Sequence, residues 1–568
     1  MRGVTSLHVT LRFPQRGTQG NGTSQDGIDG DDHSRRPMAL TPGRDEQRRA
    51  EVVATTVRGL LEELSPQAAV RVTPDSVLDR DLGLDSLALV ELIGRLEAAL
   101  GIPLKEESLL EARTLGDLAA AIPSPSGPPS AAPASAAPAS SGPTAVASAI
   151  PSATRGATEE AWAPGDARTL PEVLDWHAER HPERTHIRLL PSSGSPEDLT
   201  YGELARAARA AAGHLLHHGL ERGDSVALML PTGRDYFVAF LGALLAGGVP
   251  VPIYPPSRPS DIEEHLQRQA SILDNARARL LVSVPEAGRA ARLLRLQVPS
   301  LRRLVAARDL VGTSTGEPAV RQGAGSDVAL LQYTSGTTSL PKGVVLSHDN
   351  LLASIRAMGE AASVVPDDIF VSWLPLYHDM GLIGAWLGSL YFGVPLILMS
   401  PTSFLARPVR WLRAIHDHRG TVSAAPNFGY ELCLQRIDDG ELGGLDLGSW
   451  RIAFNGAEPV SPGTLRRFAQ RFGPHGFHPG TMKPVYGLAE ASLGLTFPPP
   501  GHEPVVDRIA REPFEASGVA RPAADGEDAL EIVGCGRPLP GFDIRVVDAS
   551  GEPRAERQEG RIEFRGPS

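Results

Sequence analysis

The chain has 568 residues, 21% of them charged, and a formal net charge of −12. This length allows several domains, and the acidic balance argues against a nucleic-acid surface. The two cysteines, Cys433 and Cys535, lack metal-ligand spacing and cannot form a disulfide framework, so we expect a reducing, cytoplasmic setting. Neither a bilayer-spanning apolar run nor a signal-peptide core is evident, so we expect neither a membrane span nor secretion.

The amino-terminal third begins with a polar tail and continues with a helical module. Residues 1–47 are rich in Gly, Asp, Arg and Ser without an apolar period, which predicts disorder. From 48 to 122, apolar residues recur at helical spacing and predict a small all-α bundle. Ser86 stands at the start of one predicted helix. Taken by itself, a serine in this position is an N-cap that satisfies a main-chain amide.

The run Asp81-Leu82-Gly83-Leu84-Asp85-Ser86-Leu87 resembles the attachment site of acyl carrier proteins. The resemblance implies that Ser86 carries 4′-phosphopantetheine, added by a phosphopantetheinyl transferase. Four acidic residues of this module form either a solvated face or a docking surface for basic partners: Glu91, Glu97, Glu106 and Glu107. Residues 123–165 are dominated by Pro, Ala and Ser, which predicts a flexible linker that lets the arm sample active sites.

Residues 166–568 alternate helical and strand patterns, which predicts a large α/β domain with mainly parallel sheets. The pattern predicts helices over Gly202–His217 and Asp235–Ala246. It predicts strands over Ser225–Leu230 and Val249–Ile253.

A hydroxyl- and glycine-rich loop, Thr334–Gly343, lies between a predicted strand at 327–332 and a helix that follows His348. Hydroxyls, free main chain and the cation of Lys342 suit a polyphosphate. The alternative is an ordinary solvated turn. The loop also departs from the P-loop pattern, because Gly343 follows Lys342. The candidate phosphate-binding residues are Thr334, Ser335, Gly336, Thr337, Thr338, Lys342 and Gly343.

Three shorter motifs follow downstream. The first, Trp373–Leu382, contains His378, a residue type that is often simply packed and hydrogen-bonded. The others are Phe454–Pro459 and Tyr486–Glu490, glycine-containing turns that carry an aromatic, an amide or a carboxylate. Each motif is weak by itself.

Together and in this order, the motifs resemble the adenylate-forming superfamily of acyl-CoA synthetases and peptide-synthetase adenylation domains. The resemblance implies catalytic roles for His378 near the acyl carboxylate, Lys342 on the phosphates of ATP, and Glu490, which with Thr334 binds Mg²⁺. Such a reaction depends on positioning and on cations, because a carboxylate must approach a negatively charged phosphate. The residues implied for the remaining ATP or AMP pocket are Asn455, Gly456, Ala457, Glu458, Tyr486 and Gly487.

Within the superfamily the chain is most similar to fatty acyl-AMP ligases, through Ser372–Leu382 and through a segment at 504–541 that resembles the insertion typical of those ligases. There the insertion disfavours transfer to free CoA. The resemblance implies a fatty acid as substrate, the chain's own or a separate acyl carrier domain as acceptor, and a downstream polyketide or peptide synthase. The alternatives are an amino-acid-activating module, an acyl-CoA synthetase, and an ordinary surface loop at 504–541.

Two departures from the family pattern matter. Ser339 stands where the phosphate loop commonly has glycine. The sequence stops at Ser568, before the expected T-G-D segment and the small subdomain with the catalytic lysine, so we expect a truncated chain. A carrier scaffold with a non-catalytic nucleotide-binding domain is therefore a second hypothesis.

Four aromatic residues either line an acyl tunnel or pack in the core: Phe404, Trp411, Phe428 and Tyr430.

Overall fold

The computed structural model describes residues 162–254, 262–310, 323–334 and 341–568, with single positions between 55 and 117. The predicted tail, the carrier module with Ser86, and most of the linker lie outside the described residues, as does the loop interior at 335–340. The chain divides into two compact units, the larger of which contains Thr144–Ser568.

Strands are distributed along the whole large unit. Their bounds are β1 Thr185–Leu190, β2 Glu197–Thr200, β3 Ser225–Met229, β4 Val249–Ile253, β5 Leu280–Ser283, β6 Arg303–Ala306, β7 Val328–Thr334, β8 Lys342–Ser347, β9 Phe370–Ser372, β10 Leu396–Met399, β11 Val422–Ala425, β12 Ile452–Asn455, β13 Met482–Pro484, β14 Tyr486–Leu488, β15 Leu493–Phe497, β16 Val506–Ala510, β17 Ala529–Val533, β18 Arg537–Pro538, β19 Asp543–Val547 and β20 Arg561–Arg565.

Helices separate most of these strands. Their bounds are α1 Leu170–Arg180, α2 Tyr201–His217, α3 Arg234–Leu245, α4 Ile262–Asn275, α5 Gly288–Gln297, α6 His348–Ala361, α7 Gly388–Phe392, α8 Pro401–Ala406, α9 Val409–Asp417, α10 Asn427–Arg436, α11 Pro462–Phe472 and α12 Arg511–Ser517. A π-helix, Met380–Leu387, leads directly into α7.

A seven-stranded sheet with the order β13-β12-β11-β9-β10-β1-β2 forms the centre of the large unit. All neighbours in it are parallel except β1 and β2. Its central strands are short apolar runs, and every residue of β10 is buried. Such runs are typical of parallel strands that are covered on both faces.

A second, four-stranded parallel sheet has the order β4-β3-β5-β6. Helices α2 and α3 contact each other through small residues: a Cβ at Gly242 would lie 2.7 Å from the Cβ of Ala211. This close approach explains the alanine-rich composition of α2. The remaining strands form antiparallel hairpins and a small three-stranded sheet.

The predicted α/β class with mainly parallel sheets is confirmed for the large unit. The predicted helix Gly202–His217 and strand Val249–Ile253 agree with α2 and β4 to within one residue. Within the described ranges, no helix has both the length and the apolar composition that crossing a membrane requires. Of the predicted linker, residues 162–165 are described, and there Trp162 stacks on Phe392 at a ring-centroid distance of 5.4 Å.

Candidate active site

The downstream motifs converge at one edge of the large sheet. Strands β9, β11, β12 and β13 are neighbours and run parallel, so their carboxyl ends share that edge. The His378 segment follows β9, Asn427 follows β11, Gly456 follows β12, and Tyr486 follows β13. The edge formed by the carboxyl ends of parallel strands is where ligands bind in open α/β sheets.

The main chain before His378 is held by side chains from two other elements. The hydroxyl of Tyr236, in α3, donates to the carbonyl oxygen of Leu376 at 2.6 Å. The amide Nε2 of Gln332, in β7, donates to the carbonyl oxygen of Tyr377 at 2.9 Å. Because Gln332 lies two residues before Thr334, this bond also joins the His378 segment to the phosphate hairpin, which we define as β7, β8 and the loop between them.

The main chain after His378 is held by the π-helix. The His378 amide donates to the carbonyl of Pro375 at 3.2 Å, and the Leu382 amide donates to the carbonyl of His378 at 2.8 Å. A Cβ at Gly381 would lie 2.2 Å from the Pro375 oxygen, so only glycine fits there. The carbonyls from Pro375 to His378 are therefore all bonded, which preorganises this segment.

The side chain of His378 is 45% exposed, which disagrees with the alternative of a buried, packed histidine. Its Nδ1 lies 2.8 Å from Oδ1 of Asp379, whose side chain is 13% exposed. The Met380 amide donates to the same carboxylate oxygen at 2.7 Å. Burial opposes ionisation of Asp379, but the charge of His378 and these hydrogen bonds outweigh it and lower the pKa of Asp379.

The loop of the phosphate hairpin is shorter than the loop that the sequence predicts. Thr334 pairs with Lys342, and Tyr333 pairs with Gly343, in the antiparallel register of β7 and β8. Three of the predicted loop residues therefore lie in strands, and β7 extends two residues beyond the predicted strand end at Gln332. β7 extends to Thr334 because this residue pairs across the hairpin, and a β-branched residue favours the strand conformation. A Cβ at Gly343 would lie 2.9 Å from the ring of Tyr333.

The ends of β12 and β13 contact each other at the predicted adenine pocket. The Val485 amide donates to the carbonyl of Asn455 at 2.8 Å. A Cβ at Gly456 would lie 2.9 Å from Cγ2 of Val485, which explains the glycine. Ala457 follows with a φ of 68°, in the left-handed region that non-glycine residues rarely adopt. Ala457 is exposed at this strained turn.

Two predicted pocket residues also organise α10. The Phe428 amide donates to Oε1 of Glu458 at 2.6 Å, which satisfies an amide in the first turn of that helix. The fully buried Asn455 donates through Nδ2 to Oδ1 of Asn427 at 3.3 Å. These side chains tie the turn after β12 to α10.

Glu490 lies in the tight connection between β14 and β15. A Cβ at Gly487 would lie 1.8 Å from the carbonyl oxygen of Leu493, so the connection requires glycine. Burial raises the pKa of Tyr486, and the negative charge of Glu490 raises it further. A Cβ at Gly384 would lie 2.8 Å from Leu493, so the π-helix packs on the Glu490 connection as well.

The described residues fit a phosphate-bound Mg²⁺. They contain no group of three or more His, Cys, Asp or Glu that could hold a metal alone. Thr334 and Glu490 supply a hydroxyl and a carboxylate, the oxygen donors that Mg²⁺ prefers when substrate phosphates complete its coordination.

The segment at 504–541 contains two paired strands and a helix as well as loop, and whether it has the role of the family's insertion stays a prediction. Strands β16 and β17 pair over five residues, and α12 connects to β16 directly. Arg466, in α11, makes two hydrogen bonds to the carboxylate of Glu531, in β17, at 3.1 and 2.7 Å. The hairpin of β16 and β17 thus contacts α11.

The four candidate tunnel residues are buried and pack against aromatic neighbours. Phe404 stacks on Trp373 at 3.9 Å between ring centroids, and Trp411 lies 5.4 Å from Tyr430. Phe428 meets Trp373 edge-on at 5.8 Å. These contacts favour the alternative that the four residues belong to the core.

Sequence reasoning missed Tyr236, Gln332 and Gly381 as residues that hold the site. The first two bond to residues 140 and 45 positions away, so no local motif indicates them. The glycine stood inside the quoted His378 motif, but its close approach to Pro375 is visible only in the structure.

Comparison with known proteins agrees with this geometry. The family model of AMP-binding enzymes matches residues 174–568, and the model of the phosphopantetheine attachment site matches residues 55–122. The long-chain-fatty-acid–AMP ligase FadD26 of Mycobacterium marinum is 37% identical, over 70% of this chain and 68% of that protein. The medium-chain-fatty-acid–[acyl-carrier-protein] ligase JamA of Moorena producens is 35% identical, over 67% of this chain and 65% of that protein.

Solved structures agree as well. A structure from a study of fatty acyl-adenylate ligases of E. coli and L. pneumophila superposes with a TM-score of 0.68 at 33% identity, covering 71% of this chain and 72% of that one. The L. pneumophila ligase in complex with acyl adenylate and pyrophosphate gives a TM-score of 0.67 at 33% identity, with coverages of 71% and 69%. The chain therefore belongs to the AMP-binding enzymes and, within them, to the fatty-acid–AMP ligases.

Proposed function

We propose that the protein activates a fatty acid with ATP, forming an acyl adenylate and pyrophosphate, and passes the acyl group to the phosphopantetheine thiol of a carrier domain, with release of AMP. The observation that carries this proposal is the convergence of the His378, Gly456 and Tyr486 motifs at one sheet edge, with the phosphate hairpin bonded to it through Gln332. The two named relatives and the acyl-adenylate complex support the choice of a fatty acid.

The proposed roles follow from the chemistry of each group. Lys342 balances the charge of the phosphates as pyrophosphate leaves, and His378 receives the carboxylate of the acid. Thr334 and Glu490 would hold Mg²⁺, which would supply Lewis-acid polarisation of the phosphates. Tyr486 and the main chain after Asn455 hold the adenine. The fixed main chain around His378 keeps the carboxylate aligned with the α-phosphorus.

The acceptor of the acyl group is a carrier domain, which we place at residues 48–122 with Ser86 as the attachment residue. The match of residues 55–122 to the attachment-site family supports this assignment. A phosphopantetheinyl transferase supplies the arm, and a polyketide or peptide synthase takes the acyl group onward. The proposed setting is the cytoplasm.

Pyrophosphate exchange tests the proposal. We expect the protein to exchange labelled pyrophosphate into ATP with fatty acids such as dodecanoate and not with amino acids. Exchange with amino acids alone would reject a fatty acid as substrate. ATP binding without exchange on any acid would favour the non-catalytic scaffold, and efficient thioester formation with free CoA would favour an acyl-CoA synthetase.

Lys342→Ala sharpens this test. Losing a cation that contacts phosphate is expected to lower exchange about ten- to a hundredfold. The control is Arg308→Ala, because Arg308 is exposed and its contact is with neighbouring Asp309 at 3.7 Å. Equal exchange by Lys342→Ala and Arg308→Ala would show that Lys342 does not act in the active site.

A further inference from the structure

The turn that carries Glu490 is strained. Glu490 is the middle residue of a short 3₁₀ turn, Ala489–Ala491, which connects β14 to β15. The two residues that follow, Ser492 and Leu493, have φ values of 52° and 97°, in the left-handed region that residues with a side chain rarely adopt. Two such residues in succession persist only where the surrounding structure fixes them.

Helix α6 supplies a contact that fixes this turn. The hydroxyl of Ser354 donates to the carbonyl oxygen of Ser492 at 2.9 Å, and both residues are fully buried. One helical turn further along, a Cβ at Gly494 would lie 2.7 Å from Sδ of Met358, so the same face of α6 lies against β15. A serine within a helix can bond to the carbonyls of its own helix. Ser354 instead bonds to a residue 138 positions away.

The same helix is joined to the phosphate hairpin. It begins directly after β8, the strand that contains Lys342. Ser347 and Asn350 form a capping box at this junction, in which Oγ of Ser347 accepts from the Asn350 amide at 3.1 Å. Ser354 lies about 10 Å further along the helix axis. A single helix therefore connects the strand of Lys342 to the turn of Glu490.

We propose that Ser354 is a positioning residue for Mg²⁺ binding, because its hydrogen bond to the Ser492 carbonyl holds the Glu490 carboxylate in place relative to the phosphate hairpin. This inference rests on the proposed function, in which Thr334 and Glu490 would hold the metal. Without the hydroxyl, the strained turn is free to relax, and the carboxylate must be ordered again when the metal binds. A purely structural hydrogen bond would change the melting temperature but not the effect of the metal.

Ser354→Ala tests the proposal, because alanine favours the helix and removes only the hydroxyl. Calorimetry on the full chain measures the affinity for α,β-methylene-ATP, an analogue that cannot form an adenylate, once with Mg²⁺ and once with EDTA. The ratio of the two affinities is the contribution of the metal. We expect this ratio to fall about tenfold, towards the value given by Glu490→Gln, as when a group that supports a metal ligand is removed. The affinity in EDTA is expected to stay unchanged, because Lys342 is untouched.

Ser389→Ala is the matched control. Ser389 is also a buried helical serine, in α7, and its Oγ has no hydrogen-bond partner in the part of the chain that the structure describes. This variant removes the same atom without removing a hydrogen bond, so its ratio is expected to equal that of the wild type. Thermal unfolding of both variants measures the effect on the fold separately. Equal falls of the ratio in Ser354→Ala and Ser389→Ala would overturn the inference.

The Glu490 variant distinguishes the remaining outcomes. An unchanged ratio in Ser354→Ala, with a reduced ratio in Glu490→Gln, would show that Ser354 supports only packing. An unchanged ratio in Glu490→Gln as well would show that Glu490 is not a metal ligand, and the inference would fall with it. If the ratio falls as expected but the wild type exchanges pyrophosphate with no fatty acid, the substrate assignment fails and the role of Ser354 stands.

Discussion

At the scale of single residues, glycines decide how closely the active-site segments approach. Gly381, the second residue of the π-helix, lies directly against the Pro375 carbonyl, and Gly487 lies against the Leu493 carbonyl. In both cases a main-chain oxygen occupies the volume that a side chain would need, so these contacts cannot be relieved by rotating a side chain. The sequence conveys such a constraint only as a glycine within a motif.

Gly381→Ala is expected to move the His378 segment, because its new Cβ would lie 2.2 Å from the Pro375 oxygen. We expect a loss of fatty-acid binding of about tenfold or more and a lower melting temperature, since such overpacking costs roughly 1–3 kcal/mol. Calorimetry and thermal unfolding measure the two effects.

Gly388→Ala is the matched control for this change. Gly388 directly follows the same π-helix and has a helical φ of −61°. A Cβ at Gly388 would lie 3.6 Å from the carbonyl oxygen of Ile383, which is an ordinary contact. Alanine there is expected to be neutral or slightly stabilising. Similar losses in both variants would mean that the π-helix tolerates no added methyl group, rather than that Gly381 positions His378.

At the scale of elements, a buried stack of rings joins α1, α2 and β1 to the π-helix and to α7. Tyr201, in α2, lies between His177 of α1 and His186 of β1, with both ring-centroid distances 4.7 Å. All three side chains are buried. His177 is 3.2 Å from the carbonyl of Tyr391, and the indole Nε1–H of Trp386 donates to His186 at 3.2 Å.

This stack makes stability dependent on pH. Burial lowers the pKa of His177 from 6.5 to about 4, and it lowers the pKa of His186 well below its ordinary value. Each folded pKa is depressed, so the stabilisation is complete above pH 6.5 and is lost as the pH falls from there towards 4. In that window one such histidine contributes about 1.4 kcal/mol per pH unit to the loss.

His177→Gln is expected to make unfolding less dependent on pH between 6.5 and 4. Glutamine can still donate to the Tyr391 carbonyl but has no proton to gain. Urea denaturation at several pH values in this range measures how the free energy of unfolding changes with pH. Loss of the ring stacking lowers that free energy at every pH and does not alter this slope. Exposed His217→Gln is the control, and equal slopes for both variants would contradict the role of the stack.

At the scale of the whole molecule, the proposed acceptor and the proposed active site belong to one chain. The phosphopantetheine family matches residues 55–122 and the AMP-binding family begins at 174, with a Pro/Ala/Ser-rich stretch between them. Tethering raises the effective concentration of a mobile arm near any site that the linker lets it reach. This arrangement suits transfer of the acyl group to the chain's own carrier domain. A separate carrier domain would offer the same thiol to the acyl group.

The carrier assignment is tested by mass spectrometry of the intact protein. Incubation with CoA and a phosphopantetheinyl transferase is expected to add one arm, and Ser86→Ala is expected to abolish the addition. Ser76→Ala provides a control within the same family match. An arm on the Ser86 variant would move the attachment site elsewhere.

The sequence by itself determined the α/β class, the order of the motifs and the residue types that we expect to bind ATP, because these depend on local patterns. Strand β4 and helix α2 agree within one residue with the bounds that local strand and helix patterns predict. Only the tertiary structure decided that Lys342 lies in a strand opposite Thr334, and that Tyr236 and Gln332 hold the segment before His378. The physical reason is that hydrogen bonds between residues far apart in the chain depend on how the sheets meet, which no local propensity encodes.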